Sequence, residues 1–197
     1  DDRWCVHKVS IVILTYNLKD MNMQCIGSIR DTCAPSSYEL VVVDNASTDG
    51  TLEWLQEQKD MTLVSNQENK GFPAGCNQGI KAAEPENDIL LLNNDTEIIN
   101  ENCLEEMMGY CLRNDVGAVG ARLYYEDGTI QHAEVIVGLQ GVAGHVSTGL
   151  PHDTPGYFGR AIIAHDCSAV TAACMMTRKD IYNEVCGLDE KVEVAFN

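Results

Sequence analysis

Three short apolar runs, Val9–Leu14, Leu40–Val43 and Ile89–Leu92, constrain this chain more than any other feature. They are nearly continuous and built of Val, Ile and Leu. That pattern marks strands buried on both faces, not the alternating strands of a half-solvated sheet. Between them the apolar period becomes helical. Cys25, Ile26, Ile29 and Cys33 recur at helical spacing from about Lys19, and Pro35 forbids continuation. Ser47, Thr48 and Asp49 are candidate N-caps for a helix carrying Leu52, Trp54 and Leu55. A short strand is expected at Met61–Val64, and Pro73 opens a helix running through Ala83. Asn100 is a candidate cap for a helix in which Leu104, Met107, Met108, Cys111 and Leu112 share one face. Alternating β and α elements predict an α/β fold: a Rossmann-like, mostly parallel central sheet with helices on both faces.

The second half reads as more strand-rich. Strand-like runs fall at Val116–Tyr125, Ile130–Val137 and Ala169–Thr177, and the glycine- and proline-rich stretch 138–160 reads as a long surface loop. With 197 residues, 45% of them hydrophobic, one domain with a real core is expected over 1–197. The β–α alternation occupies 1–115 and the strand-rich remainder 116–197. Thirteen basic and thirty acidic residues give a net charge of −17, which repels nucleic acid and anionic lipid. No apolar run approaches the ~18 residues of a membrane span. The nine cysteines form no CxxC pair, and several sit at core-like positions. Reduced thiols in a cytoplasmic protein are the expectation, with association to an inner membrane face left to regions outside this chain. The start Asp1-Asp2-Arg3 suggests a piece of a longer protein.

In an open parallel sheet, ligands bind outside the carboxyl ends of the strands. Here those ends carry Thr15-Tyr16-Asn17, Asp44-Asn45 and Asn93-Asn94-Asp95, which would project into one crevice. No GxGxxG turn follows the first strand and no GxxxxGK[ST] occurs, so a bound phosphate needs another means of neutralisation. If Asn93–Asp95 is extended, Asn93 and Asp95 point the same way. One carboxylate and one amide oxygen suit a hard divalent ion, Mg²⁺ or Mn²⁺, completed by diphosphate oxygens and water.

Val9–Asn17, Val41–Thr51, Asn69–Asn77 and Leu91–Glu97 together resemble the successive blocks of family 2 glycosyltransferases, which have the GT-A fold. Val116–Ala121, Ile130–Ala133, Val170–Met175 and Gly187–Glu190 resemble later blocks, and the nearest subset is the rhamnosyl- and polysaccharide-building members. The resemblance implies inverting transfer of a sugar from a UDP- or dTDP-type donor to a saccharide or lipid-linked acceptor, with 1–115 as the nucleotide-sugar-binding half of the domain and 116–197 as its partial acceptor-side half. It implies that Thr15, Tyr16 and Asn17 line the base, with Tyr16 stacking on it, and that Asp44 accepts the N–H of uracil or thymine. Asn45 belongs to the same donor-binding set. Asp95 matches the last carboxylate of the metal-binding DxD, whose first Asp is replaced by Asn93. Asn69, Lys70 and Gly71 match the loop beside the nucleotide. The general base follows the Gly187–Glu190 block in the family, so it is expected beyond Asn197, with Glu190 and Glu193 as weak candidates inside the chain. Two readings compete: a nucleotidyltransferase, which lacks here its glycine- and arginine-rich loop after the first strand, and a nucleotide-sugar-binding module without catalysis.

Overall fold

The computed structural model describes residues 8–139 and 142–192. The chain runs β1 Val9–Thr15, α1 Lys19–Thr32, β2 Tyr38–Asp44, α2 Thr51–Glu57, β3 Thr62–Ser65, α3 Phe72–Ala82, β4 Asp88–Asn93 and α4 Cys103–Cys111. Then come β5 Val119–Gly120, β6 Leu123–Tyr124, β7 Ile130–His132, β8 Glu134–Val137, β9 Ala143–Val146, β10 Cys174–Thr177 and α5 Lys179–Glu184. Six strands form the main sheet in the order β3-β2-β1-β4-β10-β5. β1 pairs in parallel with β2 and β4, and β2 with β3, whereas β10 runs antiparallel to β4 and β5. The order reverses between β1 and β4, which places the topological switch point at Thr15 and Asn93.

Both faces of the central strands are buried, as their apolar runs demand. Ile11, Ile13, Leu40, Val42, Leu90 and Leu92 face one core with Cys25, Ile26, Ile29, Leu104, Met107 and Cys111 of α1 and α4. The alternate residues Val12, Val41, Ile89 and Leu91 face a second core with Cys76 and Ile80 of α3 and Tyr182 of α5. α3 lies close to the sheet because of its glycines. A Cβ on Gly79 would stand 2.5 Å from Val12 Cγ1 and 2.8 Å from Val43 Cγ2. Cys25, Cys33, Cys76, Cys111 and Cys174 are core residues. Burial pushes the thiols of Cys76 and Cys174 up to about 12.

Several local expectations are corrected. The runs at 116–125 and 130–137 break into pairs of short strands, and only Cys174–Thr177 of the 169–177 run is a strand. The stretch 138–160 is not all loop: it holds β9, paired with β8, and a 3₁₀ turn at Tyr157–Gly159. α5 went unread in the sequence. The helix starts also differ. Gly50, at φ 89°, is the N-cap of α2, and Asn102 that of α4, neither with a side-chain cap. Asp49 still serves α2, accepting the Thr51 N–H at 3.1 Å, and Asn100 gives its carbonyl to Cys103 N at 3.1 Å.

Register fixes where the second half stands. Cys174 pairs with Leu92, and Gly120 with Met175, so residues 121–173 leave and re-enter the sheet at the carboxyl end of β4. The main sheet therefore takes strands from both sides of residue 115.

Candidate functional site

Register sets the ends of β1, β2 and β4 side by side: Thr15 pairs with Asp44 and Leu14 with Asn93. Asn45 N donates to Thr15 O at 2.8 Å, while Asn93 N donates to Ala173 O, just before β10, at 2.9 Å. The loops after β1 and β2 are knitted together: Asn17 N donates to Ser47 Oγ at 2.7 Å, Thr48 N to Asn17 Oδ1 at 2.8 Å, and Lys19 N to Asp49 Oδ2 at 3.2 Å. This stitching holds Asn17, Leu18 and Ala46 in left-handed backbone at φ 62°, 62° and 67°. Non-glycine residues adopt that conformation at a cost, and sites where surroundings over-determine it are often functional.

Tyr16 leaves the knot 51% exposed. Thr15 is buried, its hydroxyl donating to Asn17 O at 3.1 Å. Asp44 is fully buried. Its Oδ2 accepts the Ser47 N–H at 3.1 Å, while its Oδ1 has no hydrogen-bond partner. An unpaired buried acceptor costs about 1–3 kcal/mol, which makes this oxygen the least satisfied group at the strand ends.

Asn45 is buried and spends its side chain on the scaffold. Its Nδ2 donates to Asn69 Oδ1 and to Gly71 O, both at 3.2 Å, and its Oδ1 accepts from Asn66 Nδ2 at 2.8 Å. It therefore ties the end of β2 to the 69–71 loop, where Gly71 stands at φ 79°. Lys70 pairs with Glu68 at 3.4 Å on the surface.

The metal corner differs from its expected shape. The strand ends at Asn93, and Thr96 N donates to Asn93 O at 3.2 Å, closing a turn through Asn94 and Asp95. Asn93 and Asp95 are therefore not alternate residues of one extended segment, and the same-side argument does not apply. Asp95 is exposed on this turn. Cys25 Sγ lies 3.5 Å from Asn93 O as a donor beneath it. Burial, aided by the Asp95 and Glu97 carboxylates, pushes that thiol up to about 12. Among the described residues no three His, Cys, Asp or Glu side chains group as a metal cage. The donor set fits a hard divalent ion only if a ligand's own oxygens complete its shell.

Glu190 is held by Asn77, whose Nδ2 donates to it at 2.8 Å and to Leu188 O at 3.0 Å. Glu193 lies outside the described residues. A cleft of about 510 Å³ runs between α3 and α5, lined in part by Ile80, Lys179 and Tyr182. One end of it lies near the start of β4, where Lys179 N bonds Asp88 at 3.1 Å, and Asn77, which holds Glu190, lines it too.

Of the polar groups that support these ends, sequence reasoning missed Asn22 and Asn66, named Asn94 only as part of a strand end, and read Ser47 as a helix cap instead of the acceptor for Asn17 N. Asn22 had a usable signal, because it stands four residues before Ile26 and seven before Ile29, in the helix's apolar row.

An open α/β sheet with polar strand ends gathered at its switch point places its ligand crevice there. The chain belongs to glycosyl transferase family 2, which matches residues 10–186. It is 38% identical over 194 residues to the uncharacterized protein y4gI of Sinorhizobium fredii, covering 96% of this chain and 21% of that protein. It is 34% identical over 193 residues to the O-antigen biosynthesis protein RfbC of Myxococcus xanthus, covering 95% of this chain and 15% of that one. The chain thus spans about a fifth or less of the length of these relatives. In fold it is similar to the mannosyltransferase PcManGT from Pyrobaculum calidifontis in complex with GDP-Man and Mn²⁺, with a TM-score of 0.65 at 18% identity over 97% of this chain and 53% of that one. It is likewise similar to S. aureus TarS 1-349 in complex with UDP, with a TM-score of 0.64 at 16% identity over 94% of this chain and 51% of that one. The fold is GT-A, as the sequence blocks implied.

Proposed function

We propose that these residues form the donor-binding part of an inverting glycosyltransferase that moves a sugar from a UDP- or dTDP-sugar to a saccharide or lipid-linked acceptor in cell-surface polysaccharide synthesis, on the cytoplasmic side. The observation that carries this reading is the unpaired Asp44 Oδ1 at the end of β2. A buried carboxylate oxygen seeks an N–H donor, and the imide N–H of uracil or thymine is one. Tyr16 offers the base an exposed aromatic face beside that edge contact. Asp44 is fully buried, so contact with the base requires a local rearrangement at the strand ends.

Asp95 is proposed to hold Mg²⁺ or Mn²⁺, which when bound would offset the negative charge growing on the leaving diphosphate. Lys70 is proposed to add positive charge from the 69–71 loop, exchanging Glu68 for phosphate. Thr15, Asn17, Asn45 and Gly71 shape the pocket walls through the bonds described above. No residue here is assigned the general base, since the Glu190 carboxylate already serves the junction with Asn77. The likeness to RfbC, an O-antigen biosynthesis protein, supports the polysaccharide setting.

The test is a thermal-shift panel of UDP-, dTDP- and GDP-sugars with and without Mn²⁺, followed by assay of nucleoside diphosphate release with acceptor present. A ligand at 100 times its Kd stabilises by about 2.7 kcal/mol. A shift with uridine or thymidine donors, enhanced by Mn²⁺, supports the reading. A guanosine preference overturns the assigned base, and nucleoside monophosphate release points to a nucleotidyltransferase.

A further inference from the structure

We propose that Asn22 is a positioning residue that couples the Asn93–Thr96 turn to the Thr15–Leu18 loop, so that the metal corner and the base-lining segment act as one unit. The roles of those two segments rest on the function proposed above; the mechanical coupling does not.

Asn22 lies in the first turns of α1, in the same buried row as Cys25, Ile26 and Ile29. It is fully buried, where an apolar side chain would be expected. A buried amide is costly unless its groups are bonded. Here each one is. Nδ2 donates to Asn17 O at 2.8 Å and to Leu18 O at 2.9 Å, and Oδ1 accepts from Asn94 Nδ2 at 3.2 Å. Asn94 Nδ2 also reaches Thr15 Oγ1 at 3.3 Å. One continuous amide chain therefore links the turn after β4 to the loop after β1.

The loop end of that chain is the strained one. Asn17 and Leu18 are consecutive left-handed residues, which persist only when their surroundings over-determine them. Asn17 is held at its N–H, its side-chain oxygen and its carbonyl, and the carbonyl bonds come from Asn22 and Thr15. Tyr16 precedes this residue directly, and Asp95 directly follows Asn94. The amide is chemically specific: aspartate at 22 would set a carboxylate against two carbonyls, and leucine would fill the space while bonding nothing.

Two measurements test the coupling. The first needs no ligand: hydrogen exchange at the Asn17 and Thr48 amides in the parent, Asn22→Leu and Asn94→Ala proteins. The expected result is exchange at least about tenfold faster in both variants, with Ile13 and Val42 amides in the sheet unchanged. Unchanged exchange in Asn94→Ala, whose side chain is only partly buried, overturns the proposal even if Asn22→Leu fails to fold. The second is titration with uridine, and with UDP with and without Mn²⁺. Asn94→Ala is expected to weaken uridine binding about fivefold, an effect that disappears in the Asn22→Leu background. Uridine affinity unmoved by Asn94→Ala, or additive effects in the double variant, overturns the coupling. If the parent binds none of these nucleotides, the functional reading fails, and the exchange measurement still decides the coupling.

Discussion

Asp44 carries two oxygens with different fates, one accepting from Ser47 N and one without a partner. Asp44→Asn keeps the first bond through its amide oxygen and turns the second position from an acceptor into a donor. Nucleotide binding is therefore expected to weaken by about 1–3 kcal/mol in a protein of near-parental stability, measured by calorimetry. Unchanged affinity in the folded variant would remove Asp44 from the site. Asp95→Ala is a separate case: on an exposed turn, it should leave the melting temperature alone while erasing any Mn²⁺ enhancement of UDP binding. His132 carries a pH prediction. It is buried, with Nδ1 2.8 Å from His145 Nδ1. Burial, then the neighbouring His145, lowers it from 6.5 to about 4. The unfolded chain thus takes up a proton that the folded chain refuses between those values. Stability from this group is present above pH 6.5 and lost as pH falls toward 4, by roughly 1.4 kcal/mol for each pH step of one across that window. Urea midpoints between pH 7 and 4.5 should fall more steeply in the parent than in His132→Gln.

β1, β2 and β4 were legible in the sequence because parallel strands covered on both faces need unbroken apolar runs, and no other element of that length does. Their polar ends were legible for a topological reason, since chain order alone places them in one crevice. The second half was not. β5 and β6 have two residues each, and β10 acquires its strand identity from Leu92 and Gly120, partners far away in sequence. The Asn93–Asp95 turn escaped reading because a strand's last residue and a turn's first residue are the same asparagine. Asn22 escaped because an amide in an apolar row looks like a lapse in the pattern until its partners are known. α3 shows a subtler case. Gly79 in a helix interior looks like a defect worth about 1 kcal/mol, and replacing it with alanine should stabilise an isolated helix. In the folded chain the new methyl meets Val12 and Val43, both on central strands. Gly79→Ala is therefore expected to destabilise by about 1–3 kcal/mol, the usual cost of overpacking, as read from chemical denaturation.

The chain leaves the main sheet after Gly120 and returns at Cys174, both at its carboxyl end, so the intervening segment begins and ends beside the strand-end crevice. This segment has its own polar anchor. Glu134 on β8 is buried and pairs with Arg160 from the stretch after the 3₁₀ turn, and its Oε2 lies 3.5 Å from His165 Nε2. Val135 forms a bridge with Ala169 one residue further along. The anchor therefore pins the segment that carries the exposed Tyr157 and Phe158 to the β8–β9 hairpin. None of these residues touches Asp44, Asn17 or the Asn93–Thr96 turn through any bond described above. If this segment is separable in stability from the sheet, the anchor can be cut without disturbing the ends of β1, β2 and β4. Glu134→Ala leaves Arg160 half exposed to water, so its cost should fall below the roughly 3–5 kcal/mol of a fully buried broken pair, at about 1–3 kcal/mol. Hydrogen exchange is expected to rise across residues 156–169 while amides of β1, β2 and β4 keep their protection. Donor affinity should stay within about twofold of the parent, since no donor-side group loses a bond. Faster exchange at Val42 or Leu91, or a loss of nucleotide affinity, would show instead that the sheet and the segment unfold as one cooperative unit, with β10 transmitting the loss from Cys174 into β4.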